Sequence, residues 1–255
     1  MFYSQEDVLR VAKILHTSKY LVAFTGAGIS TESGLPDYRG PEGVWTLRAK
    51  GLKPKLPKKP MHLIEPNPSH YALVDLYKLG LLKFLISQNV DNLHLKSGIP
   101  KESLAELHGN SNIMKCIQCD SRFSKQEIAW NDLIHGKGYR TDKPQTIQPK
   151  CPHCNGRIIS SVVNFNDPMP VKEMEEAETH VTRCDVILTI GSSLSVFPAA
   201  NFPLIAQRSG AILIIVNMGK TQLDHFANIR IEAKCGEFLP LIVKTIKSNF
   251  NPLSI

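Results

Sequence analysis

The chain has 255 residues, enough for one large domain or one domain carrying a smaller insert. Hydrophobic residues make up 42% and charged residues 21%, the composition of a globular protein, and no run of about 18 apolar residues marks a membrane span. The formal charge of +7 admits an acidic partner such as nucleic acid or chromatin without requiring one.

In chain order, MFYSQEDVLRVAKIL opens without the basic segment and apolar core of a secretory signal. An intracellular protein is expected, in the nucleus if the source is eukaryotic and otherwise in the cytoplasm, with disulfides disfavoured. The stretch reads as a helix: Ser4 caps it, Asp7 follows three residues later, and Val8, Val11, Ala12 and Leu15 share a face. YLVAFT (20–25) is a buried strand, and GAGISTESGLPDYRG comes directly after it. Dinucleotide folds begin this way, with a glycine-rich turn after a strand. A dehydrogenase would carry a third glycine where Thr31 stands, and an acidic residue about 20 residues on, at the end of a second strand. Both are missing, so hydride transfer is the weaker reading of this turn.

KGLKPKLPKKP (50–60) holds Lys50, Lys53, Lys55, Lys58 and Lys59, interrupted by Pro54, Pro57 and Pro60. The prolines rule out a regular helix and predict an extended, exposed segment. Its plain reading is a solvated loop that aids solubility. Residues 69–79, closed by Gly80, are helical, and LKFLIS (82–87) is a strand ahead of QNVDNLH. LAELHGN (104–110) comes after a short apolar stretch. Beyond a polar, cysteine-bearing region, residues 171–183 read as a helix and DVILTI (185–190) as a strand ahead of GSSLS. Residues 199–209, closed by Gly210, form another helix, and AILIIVN (211–217) a strand ahead of NMGKT. Residues 237–248 make a last amphipathic helix, and no tail-borne targeting signal is expected after it.

The four strands do not alternate apolar with polar residues. They suit a parallel sheet covered by helices on both faces, a doubly wound, Rossmann-like α/β fold. Such a fold binds ligands beyond the C-terminal ends of its strands, which puts function in GAGIST, QNVDNLH, GSSLS and NMGKT. Residues 1–109 and 158–255 form this unit, and 110–157 a small inserted module.

Cys116-x2-Cys119 and Cys151-x2-Cys154 lie in that module, 31 residues apart. Two such knuckles place four thiolates around one Zn²⁺ at about 2.3 Å, a closed set with no position for water and hence a structural one. The alternative is two redox dithiols or disulfides. His153 is superfluous as a ligand, and Cys184 and Cys235 are packing thiols.

Asn89, Asp91 and His108 supply amide, carboxylate and imidazole at strand ends. Those groups suit a carboxamide, ribose hydroxyls and proton abstraction near neutral pH. Taken alone, His108 reads as a hydrogen-bonded structural histidine. The set GAGIST…GLPDYRG, QNVDNLH, ELHGN, paired C-x2-C, GSSL and VN resembles the sirtuins, the NAD-dependent protein-lysine deacylases, in the family's order from about residue 20 to about residue 240. RGPEGVWTLRAKGLKPK and GLLKFLISQNVD are most like its class IV branch, which includes chromatin-associated nuclear members.

The resemblance implies NAD as a reactant. Gly26, Ala27 and Gly28 would let the backbone approach the pyrophosphate. Thr31, Asp37, Tyr38, Arg39 and Trp45 would line the nicotinamide ribose side, Gln88 and Asn89 would hold the ribose, and Asp91 the carboxamide. Gly191, Ser192 and Ser193 would contact phosphates and adenosine ribose, Asn217 that ribose, and Gly219 and the Cys235 backbone the adenine. The acyl-lysine carbonyl oxygen would attack the ribose carbon as nicotinamide leaves, with His108 then the general base on a ribose hydroxyl. The products would be free lysine, nicotinamide and 2′-O-acyl-ADP-ribose.

Three departures stand out. Tyr38 replaces the usual Phe. Asn92 stands where Gly is usual, which predicts a stiffer turn. Phe165-Asn166-Asp167 departs from the common Phe-Gly-Glu within VVNFNDPMP (162–170), the segment where a peptide would add as a strand. Implied partners are acyl-lysine proteins such as histone tails, and nucleosomal DNA at Lys50, Lys53, Lys55, Lys58 and Lys59. Two rivals remain at this level. One is a protein mono-ADP-ribosyltransferase built from the same residues. The other is a non-catalytic NAD or ADP-ribose sensor or zinc-ribbon nucleic-acid module.

Overall fold

Helix α1, Gln5–Thr17, starts where the sequence predicts. The Ser4 hydroxyl accepts from the Asp7 amide and the Asp7 carboxylate from the Ser4 amide, a reciprocal cap. This computed structural model describes residues 3–55 and 57–250. Met1 and Phe2, Leu56 at the centre of the lysine-rich stretch, and residues 251–255 beyond the last helix lie outside the described residues.

Strand β1, Leu21–Thr25, leads into a 3₁₀ helix, Ala27–Ser33, and then α2, Val44–Ala49. Next come α3, Pro68–Lys78; β2, Leu82–Ser87; α4, Leu93–Ser97; and β3, Leu104–Glu106. The inserted module holds β4, Ile113–Cys116; β5, Arg122–Ser124; and α5, Asp132–His135, with β6, Ile158–Ser160, closing its sheet. The chain returns through α6, Val171–Val181; β7, Val186–Ile190; α7, Asn201–Arg208; β8, Ile212–Val216; β9, Ile229–Ile231; and α8, Cys235–Asn249.

The main sheet has six strands in the order β3-β2-β1-β7-β8-β9, and every pairing is parallel. In sheet sequence that is 3-2-1-4-5-6, the doubly wound order, with the switch point between β1 and β7. Helices α1, α3 and α8 share an apolar cluster on one face, and α6 and α7 one on the other. All five residues of β1 and of β7 are buried, which is why these runs show no alternation in sequence. The sequence reading passes over β3 and β9. Each has three residues at a sheet edge, too short for a periodic signal. Among the described residues no helix is long and apolar enough to cross a membrane.

The module's sheet is antiparallel, in the order β5-β4-β6. Its small core packs Met114, Phe123, Trp130 and Ile158 against Cys116 and Cys151. That core accounts for the long spacing between the knuckles.

Candidate active site

Four of the strand-end loops, with the turn after β3, meet in one cleft of about 1210 Å³. Pockets for drug-sized ligands run to about 1,000 Å³, so this one has room for a dinucleotide and a peptide side chain together. Its lining takes Gly26, Ala27 and Gly28 after β1, Gln88, Asn89 and Asp91 after β2, and His108 after β3. Gly191, Ser192 and Ser193 come after β7, and Asn217 and Gly219 after β8. Asp37, Tyr38, Arg39 and Trp45 close the side nearest α2.

The glycines meet each other. Gly28 N donates to Gly191 O at 2.7 Å, and a Cβ at Gly28 would lie 2.7 Å from that oxygen. Gly191 has φ +60°, and a Cβ there would come within 2.3 Å of Ile29 N. The Gly-Ala-Gly turn is therefore glycine-rich because two strand-end turns touch backbone to backbone across the switch point. A 3₁₀ helix, not an α-helix, succeeds the turn. The Thr31 hydroxyl is turned back onto Gly28 O at 2.9 Å, and neither Thr31 nor Cys235 lines the cleft.

The polar floor is one network. Gln88 Nε2 donates to Ser192 Oγ at 2.7 Å, joining the β2 and β7 loops. Asn89 Nδ2 donates to Gly26 O and to Ser30 Oγ, both at 3.2 Å, and Ser30 Oγ donates to Asp91 Oδ2 at 2.7 Å. The other Asp91 oxygen accepts from Leu93 N at 2.9 Å and caps α4. Ser30 is 1% exposed and central to this network, although the sequence reading assigns it no role within GAGIST. Asn217 Nδ2 donates to the carbonyls of Met218 and Gly219, shaping the turn after β8.

His108 Nδ1–H donates to Gln88 O at 2.8 Å. Burial holds the imidazole below its ordinary pKa, against the opposing effect of that hydrogen bond. The ring is thus neutral near pH 7 with Nε2 as its free base. Trp45 is the centre of an aromatic wall: Tyr38 lies 5.3 Å and Phe165 5.7 Å from it between centroids, and the Arg39 guanidinium sits 4.1 Å over the ring.

Beside the segment where the peptide is expected to add, the cleft includes Tyr139 and Met61, which the sequence did not assign to it. Tyr139 reaches it from the inserted module, and Val162, Val163 and Asn164 run beside His108, with Val163 N donating to His108 O at 2.9 Å. Met61, Phe165, Met169, Val196 and Phe197 form an apolar rim, with Phe165 71% and Phe197 61% exposed.

In the module, Cys116, Cys119, Cys151 and Cys154 bring their sulfurs within 4.8 Å of one another. Measured edges are 3.5 Å for Cys116–Cys154, 3.6 Å for Cys119–Cys151 and 3.5 Å for Cys119–Cys154. A tetrahedron of thiolates at about 2.3 Å from Zn²⁺ has edges of about 3.8 Å, so the donor set fits zinc as one cluster rather than two pairs. His153 Nδ1 bonds Ser121 Oγ at 2.9 Å and its ring stands edge-on to Phe123, leaving it outside the set. Burial pushes the Cys184 and Cys235 thiols up to about 12, which makes them unreactive at neutral pH.

The chain matches the model of the Sir2 family over residues 52–198. It is 38% identical to an NAD-dependent protein deacetylase of Arabidopsis thaliana across 97% of this chain and 51% of that protein. It is 35% identical to NAD-dependent protein deacylase 2 of Archaeoglobus fulgidus across 95% of this chain and 97% of that protein. The chain spans about half the length of the curated plant relatives it matches, 51% and 45%. A solved structure of Sir2 with a p53 peptide and NAD⁺ superposes at TM-score 0.72 with 31% identity, covering 92% of this chain and 96% of that one. One of Sir2Af2 bound to a myristoylated histone peptide superposes at 0.68 with 33% identity, covering 96% and 98%.

Proposed function

The chain belongs to the Sir2 family, and from that premise we propose that it is an NAD-dependent protein-lysine deacylase. One observation carries the reading. The loops after β1, β2, β7 and β8 and the turn after β3 converge on a single cleft in which His108 keeps one nitrogen free. A sensor would need the pocket but not a desolvated base.

In this reading NAD lies along the strand ends. Ser192, Ser193, Asn217 and Gly219 hold its adenosine half, the Gly26–Gly28 turn faces the pyrophosphate, and Gln88, Asn89 and Asp91 hold the nicotinamide half. Asp37, Tyr38, Arg39 and Trp45 cover that half and exclude water. The acyl-lysine oxygen bonds to the ribose carbon as the bond to nicotinamide breaks. His108 Nε2 takes the proton of a ribose hydroxyl, which attacks the acyl carbon, and water releases lysine and the acyl-ADP-ribose. An amide oxygen is a weak nucleophile, so positioning supplies most of the rate. The zinc cluster has no open position and stays outside the chemistry.

The acylated peptide adds as a strand along 162–165. The rim of Met61, Phe165, Met169, Val196 and Phe197 suits acyl chains longer than acetyl, and a relative's structure with a myristoylated histone peptide supports this. Histone tails on nucleosomes are the proposed targets. Lys50, Lys53, Lys55, Lys58 and Lys59 are all exposed, and Pro57 lines the cleft between them, which sets this basic stretch at the rim.

The deciding experiment incubates the protein with acylated histone peptides and NAD and measures nicotinamide and acyl-ADP-ribose. Equal yields of both are expected. ADP-ribose attached to a protein side chain without acyl release would make the enzyme a mono-ADP-ribosyltransferase instead.

A further inference from the structure

Arg122 leaves the inserted module and enters the main domain. It stands at the start of β5, and its guanidinium forms an ion pair with Glu173 on α6. Glu173 is 7% exposed, and its second oxygen has no partner among the described residues. Helix α6 packs on β3, the strand that ends at Glu106. Glu106, at the end of that strand, is a half-buried, desolvated carboxylate whose Oε1 is held by the Asn110 amide. At this junction Arg122 thus neutralises a poorly hydrated carboxylate on the helix that backs the Glu106 strand.

That junction sits directly behind the catalytic turn. Gly109 N donates to Glu106 O at 2.9 Å, closing a four-residue turn that contains His108. Asn110 Nδ2 donates one hydrogen to Glu106 Oε1 and the other to Asn92 Oδ1, each at 2.8 Å. Asn110 is 1% exposed and is held by the Ser161 hydroxyl, which accepts from Asn110 N at 3.0 Å and donates to its carbonyl at 2.9 Å. Any displacement of the Glu106 carboxylate therefore moves the Asn110 amide, the loop after β2 and the His108 turn together. Packed, hydrogen-bonded junctions of this kind shift as a unit.

We propose that Arg122 is a positioning residue: paired with Glu173, it docks the inserted module against α6, which packs on β3, and so sets the attitude of the Glu106–Gly109 turn that presents His108. This rests on the reading of His108 as the general base. It gives the module a task its remote metal cluster does not explain. Without Arg122, the Glu173 carboxylate is left buried and unpaired, and the turn moves away from α6. With Glu173 also made neutral, the unpaired buried charge disappears and the turn returns.

The test uses zinc-loaded Arg122→Met, Arg122→Lys and the pair Arg122→Met/Glu173→Gln. Nicotinamide exchange does not need the base, whereas deacylation does. Arg122→Met is expected to lower deacylation kcat about tenfold while exchange and the NAD KM stay within about threefold, with zinc content unchanged. The double variant should recover most of the loss, and Arg122→Lys should lie between, having charge but no fork. Amide hydrogen exchange of residues 106–112 gives an answer independent of activity: faster in Arg122→Met, restored in the double variant. If Arg122→Met fails to fold, Arg122→Lys carries both comparisons. Parallel losses of exchange and deacylation, or unaltered protection of 106–112, would overturn the proposal. A wild-type enzyme that performs neither reaction would overturn the deacylase reading, and the protection measurement would still decide the docking role.

Discussion

The Gln88 carbonyl accepts the Nδ1 proton of His108 at 2.8 Å, so the β2 loop chooses the tautomer of a ring carried by β3. Nε2 is left unprotonated, with no hydrogen-bond partner among the described residues. His108→Ala should abolish deacylation yet keep NAD affinity within about tenfold, or about 1.4 kcal/mol, because a general base acts after the cofactor is held. The direction of the shift sets the pH profile. The working form is neutral and burial lowers the pKa, so activity falls only as pH drops below the ordinary histidine value of about 6.5. An acid limb centred above that value, or near-normal turnover in the Ala variant, would refute the assignment.

The four-sulfur cluster predicts one zinc per chain. Metal analysis of freshly purified protein handled without chelators should find close to one equivalent. Cys116 lies at the end of β4 and in the module's core, so Cys116→Ala should release the metal and expose Trp130 and Met114. Binding energy of a structural zinc is folding energy, and the loss should appear as insolubility and a lowered Tm rather than as altered chemistry in whatever folds.

Much of this site was legible because strand ends are. Apolar runs of five or six residues marked β1, β2, β7 and β8, and the fold then dictated that the loops after them meet. What stayed hidden depends on long-range contact. Tyr139, Arg122 and Glu173 come from outside the motifs, and no spacing pattern announces that a module's side chain reaches a distant helix. The departures Asn92 and Asn166 became intelligible only in three dimensions. They have φ of +68° and +69°, so both stand where the backbone is left-handed and Gly or Asn is favoured. Asn92→Gly should therefore keep the turn and lose only the bond to Asn110. Asn92→Ala should destabilise by about 1–2 kcal/mol more than the Gly variant, read by denaturant unfolding. Equal stability of the two would contradict the strain argument.

Free nicotinamide should inhibit and should exchange into NAD. Each Asp91 oxygen already accepts one hydrogen bond, from Ser30 or Leu93, and each has capacity for a second from a carboxamide. Asp91→Asn keeps an oxygen for Leu93 N and so should fold normally. It removes the charge-assisted bond, and the nicotinamide concentration for half inhibition should rise about tenfold, about 1.4 kcal/mol. Inhibition competitive with the acyl-peptide alone, without labelled nicotinamide entering NAD, would be incompatible with this role.

The basic stretch at the rim divides solubility from docking. Lys55 pairs with Glu42 at 2.8 Å, but the two side chains are 71% and 73% exposed, so the pair is worth at most about 1 kcal/mol and yields readily to a phosphate. Lys53, Lys58 and Lys59 are also exposed, on backbone that forms no helix or strand among the described residues. Lysines so placed contact backbone phosphate without reading sequence. If three or four of them do, nucleosome binding should weaken with salt along a log–log slope of about −3 to −4. Replacing Lys53, Lys55, Lys58 and Lys59 with Gln should flatten that slope and lower deacylation of nucleosomes. The same variant should treat a free acyl-peptide as the parent does, because none of the four lysines lines the cleft. Equal losses on peptide and nucleosome would mean that the stretch serves the cleft itself, through Pro57 and Met61, and not an acidic partner.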